Sequence, residues 1–535
     1  MAARQITDVD PGEDTGRQQL PVLPPVARPG PPPTEPPHPR RPDRALLAVV
    51  GMALAFSGVF SLLSVLRYRT FSTGRFDLGN MVQAVWSTTQ GRFLDTTDVS
   101  GVQFNRLGAH VDPVLALFAP LWLVWSSPEM LLVAQALIVS TGALPAFWLG
   151  RRWLGDDRLA VAGAAVYLLY PALQSATLFD FHPVTLAAPL LMFCIWAAEE
   201  ARYGILAVCA VLAALTQEQV GLMLVGLAVW MAWRHPGRRR AAAVLGAAGL
   251  AWVVIALTVI MPHFAIDGSN PHLGRYSSLG NSPIDIAITF VTRPWDAIAV
   301  IATPGRALYL VALLLPLLLL PLAAPVLAVA AVPQLLINLF ASSGPVQSVD
   351  YHYAVVLVPF LVAATLLGLA NLRERELPAR LEPWIRRPGL MAGTLVGAVL
   401  VAGVFQGPLP LWGWLPGGYG GSALHRFRDD DQTRALREAL ALIPADARVS
   451  AANGPGSHLS ARRRILLFPK IGNSDYVLLA DNARFRDMAR DRPTLRPPGY
   501  RFAALRLATS SRWQAIYDRE GVTLYRRLPR EPRPS

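Results

Sequence analysis

The sequence predicts an α-helical polytopic membrane protein that ends in a small α/β domain. Three observations carry that expectation. Of 535 residues, 53% are hydrophobic and 16% charged, against about 25% charged in soluble globular chains. Apolar runs near the ~20 residues needed to cross a bilayer recur from Ala45 to about Phe405. Beyond Gly407 the apolar runs shorten to strand length and polar residues return.

The elements follow in order. Residues 1–44 form a Pro-rich polar tail, with Pro31-Pro32-Pro33 and Pro36-Pro37, whose composition favours extended, disordered chain. It has no apolar stretch before Ala45, so it is not expected to be a cleavable signal. Arg40, Arg41 and Arg44 precede the first span, Ala45–Leu66, which puts the N-terminus in the cytoplasm and the loop 67–128 outside. Further spans are expected near 130–149, 159–177, 185–198, 205–216, 220–233, 241–260, 307–322, 326–340, 354–370 and 390–405. That gives about 11 spans within a membrane domain of residues 45–406. With this count Arg151-Arg152, Arg238-Arg239-Arg240 and the Arg373–Arg387 loop all face the cytoplasm. Val114–Trp125 is too short to cross and is read as non-spanning, because counting it would put those basic loops outside.

Residues 407–421, ending in Gly417-Gly418-Tyr419-Gly420-Gly421, read as a Gly-rich linker. Residues 422–535 then read as an extracytoplasmic α/β domain. Its parts are an amphipathic helix over Asp430–Leu442, strands over Arg448–Ala451, Arg464–Phe468 and Tyr476–Ala480, and a hairpin from Trp513–Tyr517 and Val522–Arg526.

The net charge of +13 does not indicate a nucleic-acid partner. The arginines lie largely in membrane-flanking loops and the C-terminal region, and the only lysine is Lys470. An almost lysine-free, Ala/Arg/Pro-rich composition points to a high-GC bacterial genome, and with the apolar spans to a bacterial plasma membrane. Cys194 and Cys209 both fall in apolar segments and form no CxxC pair, so neither a zinc site nor an extracytoplasmic disulfide is expected.

The outer loops hold the chemistry. Just after the first span comes Phe76-Asp77-Leu78-Gly79-Asn80, followed by a short amphipathic run, Leu78–Ser87, expected to lie at the interface. The same loop carries His110-Val111-Asp112-Pro113. Later loops carry Phe179-Asp180-Phe181-His182-Pro183, then Gln217-Glu218-Gln219. A long loop over 261–302 holds Arg275 and Tyr276, and the last holds Asp350, Tyr351, His352 and Tyr353. Ionisable residues at membrane-helix ends are costly unless they face a cavity or a partner, so they are site candidates. Asp98, Asp267 and His272 are read as ordinary solvated loop residues.

The motifs FDLGN and FDFHP, with His110-Val111-Asp112-Pro113 and Leu215-Thr216-Gln217-Glu218, resemble the bacterial membrane-protein family called domain of unknown function 2079. That family is in turn similar to GT-C glycosyltransferases. The resemblance covers roughly Leu46 to Tyr525 and implies transfer of a sugar from a polyprenyl-phosphate donor to a cell-envelope acceptor, outside the membrane. It makes Asp77 the base or acceptor-positioning residue. Asn80, His110, Asp112, Asp180, His182, Glu218, Arg275 and His352 become substrate-binding candidates. Arg275, His182 and His352 are placed to meet the phosphate, and Asp112, Asp180 and His182 are the candidate set for Mg2+ or Mn2+. Ser457–Arg462 approximates a further family motif, and the first loop lacks the adjacent acidic pair that many GT-C enzymes have there. Two other classes stay open: a transporter or flippase of lipid-linked intermediates, and a non-catalytic envelope scaffold. The lack of an evident internal repeat weighs against the transporter.

Overall fold

The computed structural model describes residues 43–268, 272–418, 426–480 and 499–529. Most of the Pro-rich tail and residues 419–425, with the end of the Gly-rich run, lie outside the described residues. One compact unit begins at Arg44 and takes in both the apolar helices and the C-terminal sheet.

Five helical segments are long and apolar enough to cross a membrane: Arg44–Arg69, Pro128–Leu154, Pro236–Phe264, Gly344–Arg373 and Pro388–Gln406. Two bent pairs raise the number to 7, Asp157–Leu169 with Pro171–Phe179 (42°) and Pro294–Ile301 with Pro304–Leu317 (66°). The expected 11 spans therefore reduce to 5–7 among the described residues. Pro183–Glu199, Tyr203–Ala214 and Val220–Arg234 are apolar but shorter than 18 residues. Proline explains the largest departure. The two spans expected over 307–322 and 326–340 are cut at Pro316, Pro321, Pro325 and Pro333 into short pieces, with Leu318 and Leu319 turning through left-handed backbone (φ 54° and 58°). The stretch expected as a long loop over 261–302 is also partly helical, through Pro283–Thr292 and Pro294–Ile301.

Helix Asn80–Thr89 turns most of its apolar side into the protein. Met81, Val82, Ala84 and Val85 sit in an apolar cluster with Leu94, Leu107, Val111, Leu115 and Trp122. Gln83 is fully buried as well. The short apolar segment that keeps an exposed edge is Pro113–Val124, through Leu117, Leu121, Leu123 and Val124, while its Leu115, Phe118 and Trp122 face inward. A sequence pattern identifies an apolar stripe but not what covers it.

The C-terminal segments match their sequence reading closely. The strands are β3 (Val449–Ala451), β4 (Ile465–Leu467), β5 (Tyr476–Ala480), β6 (Trp513–Arg519) and β7 (Val522–Arg527); β1 (Asp95–Thr97) and β2 (Gln103–Asn105) form a small ribbon in the first loop. The five-stranded sheet runs β4-β3-β5-β7-β6. β3 is parallel to β4 and β5, and β7 is antiparallel to β5 and β6. Helix Asp431–Ala441 covers one face, capped by Asp430, whose carboxylate accepts from the Thr433 N–H at 2.8 Å. Phe71, from the loop after the first helix, inserts into the same core beside Leu436, Val449, Leu478 and Leu524. The sheet thus shares its core with the loop that carries Asp77.

Candidate functional site

Asp77 lies in a single π-type turn, Arg75–Gly79, immediately ahead of helix Asn80–Thr89. Single-turn π segments favour functional sites because they redirect side chains. Three groups hold this turn from behind. Asp180 Oδ2 accepts the Gly74 N–H at 3.0 Å and the Leu78 N–H at 3.5 Å. Asn453 Oδ1, from the C-terminal domain, accepts the Phe76 N–H at 3.0 Å. The buried Arg75 guanidinium donates to Asn80 Oδ1, to the Thr97 carbonyl and to the Ile465 carbonyl at 3.3 Å. Burial pulls that guanidinium down to about 10.

The carboxylate of Asp77 faces His182, whose Nε2 is 3.5 Å from Oδ1. His182 stacks on His352 at 3.8 Å between ring centroids, and Phe179 lies against His182 at 5.4 Å. Both histidines stand where apolar helical segments begin, His182 ahead of Pro183–Leu186 and His352 at the start of His352–Leu357, so packing of those segments sets their position. Asp180 does not reach the cavity. Its second oxygen is 3.7 Å from Arg67, and burial, with the neighbouring Asp77 adding to it, pushes its carboxyl up to about 6 against the pull of Arg67.

A cavity of about 540 Å³ opens in front of Asp77. Seven of the nine residues proposed from sequence line it: Asp77, Asn80, His110, Asp112, His182, Arg275 and His352. Asp180 and Glu218 stand behind the wall. Glu218 accepts from the Val111 N–H at 2.9 Å and meets His110 Nδ1 at 3.1 Å. The Gln217 side-chain amide nitrogen meets the same His110 Nδ1 at 2.8 Å, so three side chains converge at this point of the wall. Burial would raise the Glu218 carboxyl, but His110 and the backbone N–H groups overrule it and bring it down to about 2.

The residue set aside from sequence as solvated, His272, belongs to this wall. It stacks on His110 at 4.2 Å, and its Nε2 donates to the Ala109 carbonyl at 2.8 Å. Burial, then His110 and Arg275, pull its imidazole down to about 3. Asp98 and Asp267 also reach the rim, although Asp98 is occupied with Ser100 and the Val102 N–H. Arg275 approaches the Tyr353 ring at 5.9 Å.

Asp112 lines the cavity from a salt bridge. Its carboxylate is clasped by Arg106 through Nε (2.9 Å) and Nη2 (2.6 Å), and both side chains are buried. Burial pushes its carboxyl up in spite of Arg106. The candidate metal set loses its members accordingly: Asp112 is committed to Arg106, and Asp180 to backbone N–H groups and Arg67. Among the described residues no group of three or more His, Cys, Asp or Glu side chains is arranged to hold a metal ion. The residues present do not fit Mg2+ or Mn2+.

Sequence reasoning missed Arg106, Arg75 and Asn453. Only the motif fragment Ser457–Arg462 pointed toward the C-terminal contribution. Helix Asn453–His458 packs directly on the Asp77 turn, where Thr73 Oγ1 and Ser457 Oγ are 2.9 Å apart, and a Cβ on Gly74 would stand 2.8 Å from Asn453 Nδ2 and one on Gly79 2.5 Å from Ser460 Oγ. His458 is sandwiched between Tyr68 (4.0 Å) and Phe71 (4.1 Å) and bonds the Tyr68 carbonyl at 2.9 Å. Gln83 continues the seam by donating to the Arg462 and Arg463 carbonyls at 3.1 Å.

The family model for predicted membrane proteins described as DUF2079 matches residues 67–524. The chain belongs to the DUF2079 family. This DUF2079 protein is therefore a multi-pass membrane protein, as its apolar helices require. Among curated proteins no sequence match is found. Among solved structures it is similar to apo ArnT from Cupriavidus metallidurans, with TM-score 0.50, 11% identity, and coverage of 90% of this chain and 98% of that one. ArnT from the same organism bound to undecaprenyl phosphate gives 0.47 at 12% identity, covering 91% and 98%. The archaeal oligosaccharyltransferase AglB from Archaeoglobus fulgidus, in complex with an inhibitory peptide and a dolichol-phosphate, gives 0.42 at 12% identity, covering 89% and 74%. The likeness to apo ArnT shows a shared GT-C-type fold.

Proposed function

We propose that this DUF2079 protein is a membrane-embedded glycosyltransferase. It moves a sugar from a polyprenyl-phosphate donor to a cell-envelope acceptor on the extracytoplasmic face. Its N-terminus is cytoplasmic and its C-terminal domain, residues 422–535, is extracytoplasmic, as the basic loops require.

The observation that carries this reading is Asp77 at the wall of a 540 Å³ cavity, 3.5 Å from His182, with the Arg275 guanidinium lining the same cavity. The ArnT fold adds support, since ArnT itself is known with undecaprenyl phosphate bound. Asp77 accepts the proton of the acceptor hydroxyl as its oxygen bonds to the anomeric carbon. The bond from that carbon to the phosphate oxygen breaks, and its electron pair leaves with the phosphate. Arg275, with His182 and His352 at the near wall, stabilises the charge that gathers there. No step is routed through a metal.

The test supplies membranes containing wild type or Asp77→Asn with radiolabelled polyprenyl-phosphate sugars. The expected outcome is product from wild type and a loss of about a hundredfold or more in the folded variant. Wild-type membranes that transfer from none of the donors overturn the enzyme. Equal activity in both proteins removes Asp77 as base.

A further inference from the structure

A second cavity, about 680 Å³, lies at the seam between the first loop and the C-terminal sheet. Trp86 and Gln103 line it from the first loop, and Arg448, Arg462, Arg463 and Arg464 line it from the sheet. Three arginines in a row leading into β4 are a concentration of positive charge that the fold itself does not use up.

Arg448 is the one that is neutralised, by a two-pronged pair with Asp475 at 2.5 and 3.0 Å. The other three differ. Arg462 is 8% exposed, and its guanidinium donates only to the Leu459 and Ala447 carbonyls, at 2.6 and 2.8 Å. Arg464 donates to the Gly101 carbonyl at 2.9 Å and to Asn473 at 3.4 Å, while its buried Nε has no hydrogen-bond partner among the described residues. Arg463 has its carbonyl held by Gln83 and Gln103, which fixes its backbone and leaves its exposed side chain at the mouth. Asp446 is the one carboxylate that lines the cavity. Among the described residues Asp446 acts on the buried Arg462 guanidinium without a hydrogen bond to it, and that guanidinium's hydrogen bonds go to neutral carbonyls; a planar fork of donors matches phosphate or carboxylate oxygens.

The lining also has an apolar side. The Trp86 ring is half-buried at the wall, with the Arg92 guanidinium 5.2 Å from its centroid. A broad aromatic surface beside a cation cluster suits a ring with one apolar face and one anionic substituent. The volume admits a sugar and its charged group together.

We propose that this seam cavity binds an anionic saccharide, a sugar phosphate or a uronate, with Arg462, Arg463 and Arg464 on the anion and Trp86 against the ring. The site is separate from the cavity in front of Asp77, and its occupation does not depend on the transfer reaction. Because Gln83 and Gln103 reach the same backbone carbonyls, a ligand here also cements the contact between the first loop and the sheet.

Calorimetry on the full-length protein in lipid nanodiscs tests it with glucose 1-phosphate, glucuronate, inorganic phosphate and glucose. Saturable binding of the two anionic sugars is expected, with none for glucose. Arg463→Gln weakens that binding by about tenfold or more, Arg463→Lys by less, and Arg275→Gln leaves it unchanged. The side chain of Arg463 is exposed and carries none of the seam's hydrogen bonds among the described residues, so the variant keeps the fold; an unchanged thermal midpoint checks this. Binding insensitive to Arg463→Gln, or lost instead in Arg275→Gln, overturns the site. Inorganic phosphate bound as tightly as glucose 1-phosphate overturns the saccharide.

Discussion

The Asn453 side chain accepts the Phe76 backbone N–H at 3.0 Å, across 377 residues of chain. Through this bond the C-terminal domain holds the turn that presents Asp77. Asn453→Ala leaves that N–H without its acceptor and costs about 1–3 kcal/mol. Asn453→Asp keeps an acceptor and restores most of the loss. Thermal midpoints of both variants, with transfer measured at saturating donor, check this; an alanine variant as stable and active as wild type refutes the clamp.

The Arg106–Asp112 pair is buried and bonded at two points, which makes it structural. Asp112→Asn strands a buried guanidinium and destabilises by roughly 3–5 kcal/mol. Replacing both, with Arg106→Met and Asp112→Leu, is expected to recover much of that. Denaturation of the three proteins in one detergent measures it, and a double variant worse than the single one contradicts the assignment.

His458 gives a pH signature. Burial, partly offset by its bond to the Tyr68 carbonyl, pulls its imidazole down to about 3, from about 6.5 in an unfolded chain. With the folded value depressed, its contribution is fully present above about 6.5 and drains away as pH falls toward 3. Melting curves across that window, wild type against His458→Gln, are expected to converge as pH drops. Parallel curves would show that His458 is not the titrating group.

Gly79 packs so closely that a Cβ there would stand 2.5 Å from Ser460 Oγ and 3.4 Å from the Ser457 Cα. Gly79→Ala is expected to cost about 1–3 kcal/mol through overpacking. Adding Ser460→Gly removes the clashing atom, so the pair should be less destabilised than the two single effects summed. Strict additivity in that double-mutant cycle would place the strain elsewhere.

Much of the site could be read from sequence because each candidate stood out against apolar surroundings. Asp77, His182 and His352 are polar groups at the ends of apolar runs, where a cavity is the cheapest explanation. His272 was indistinguishable from a solvated loop residue, since its stacking on His110 joins segments 162 positions apart in numbering, from 110 to 272. Asp112 looked like Asp77 in one dimension. What separates them is Arg106, six residues earlier, which folds back onto Asp112 and not onto Asp77.

By itself the chain determined composition-level and local facts: that apolar helices recur, that the terminal segments include five strands in the expected places, and that acids and histidines collect at helix ends. These depend on residue type and short-range periodicity, which the chain carries explicitly. Tertiary structure decided how many helices are long enough to cross, because prolines within apolar runs break them in ways hydropathy does not register. It also decided which acids face the cavity and which brace its walls, and it brought helix Asn453–His458 onto the Asp77 turn. Those outcomes depend on close packing and hydrogen-bond partners hundreds of residues apart, and no local pattern encodes them.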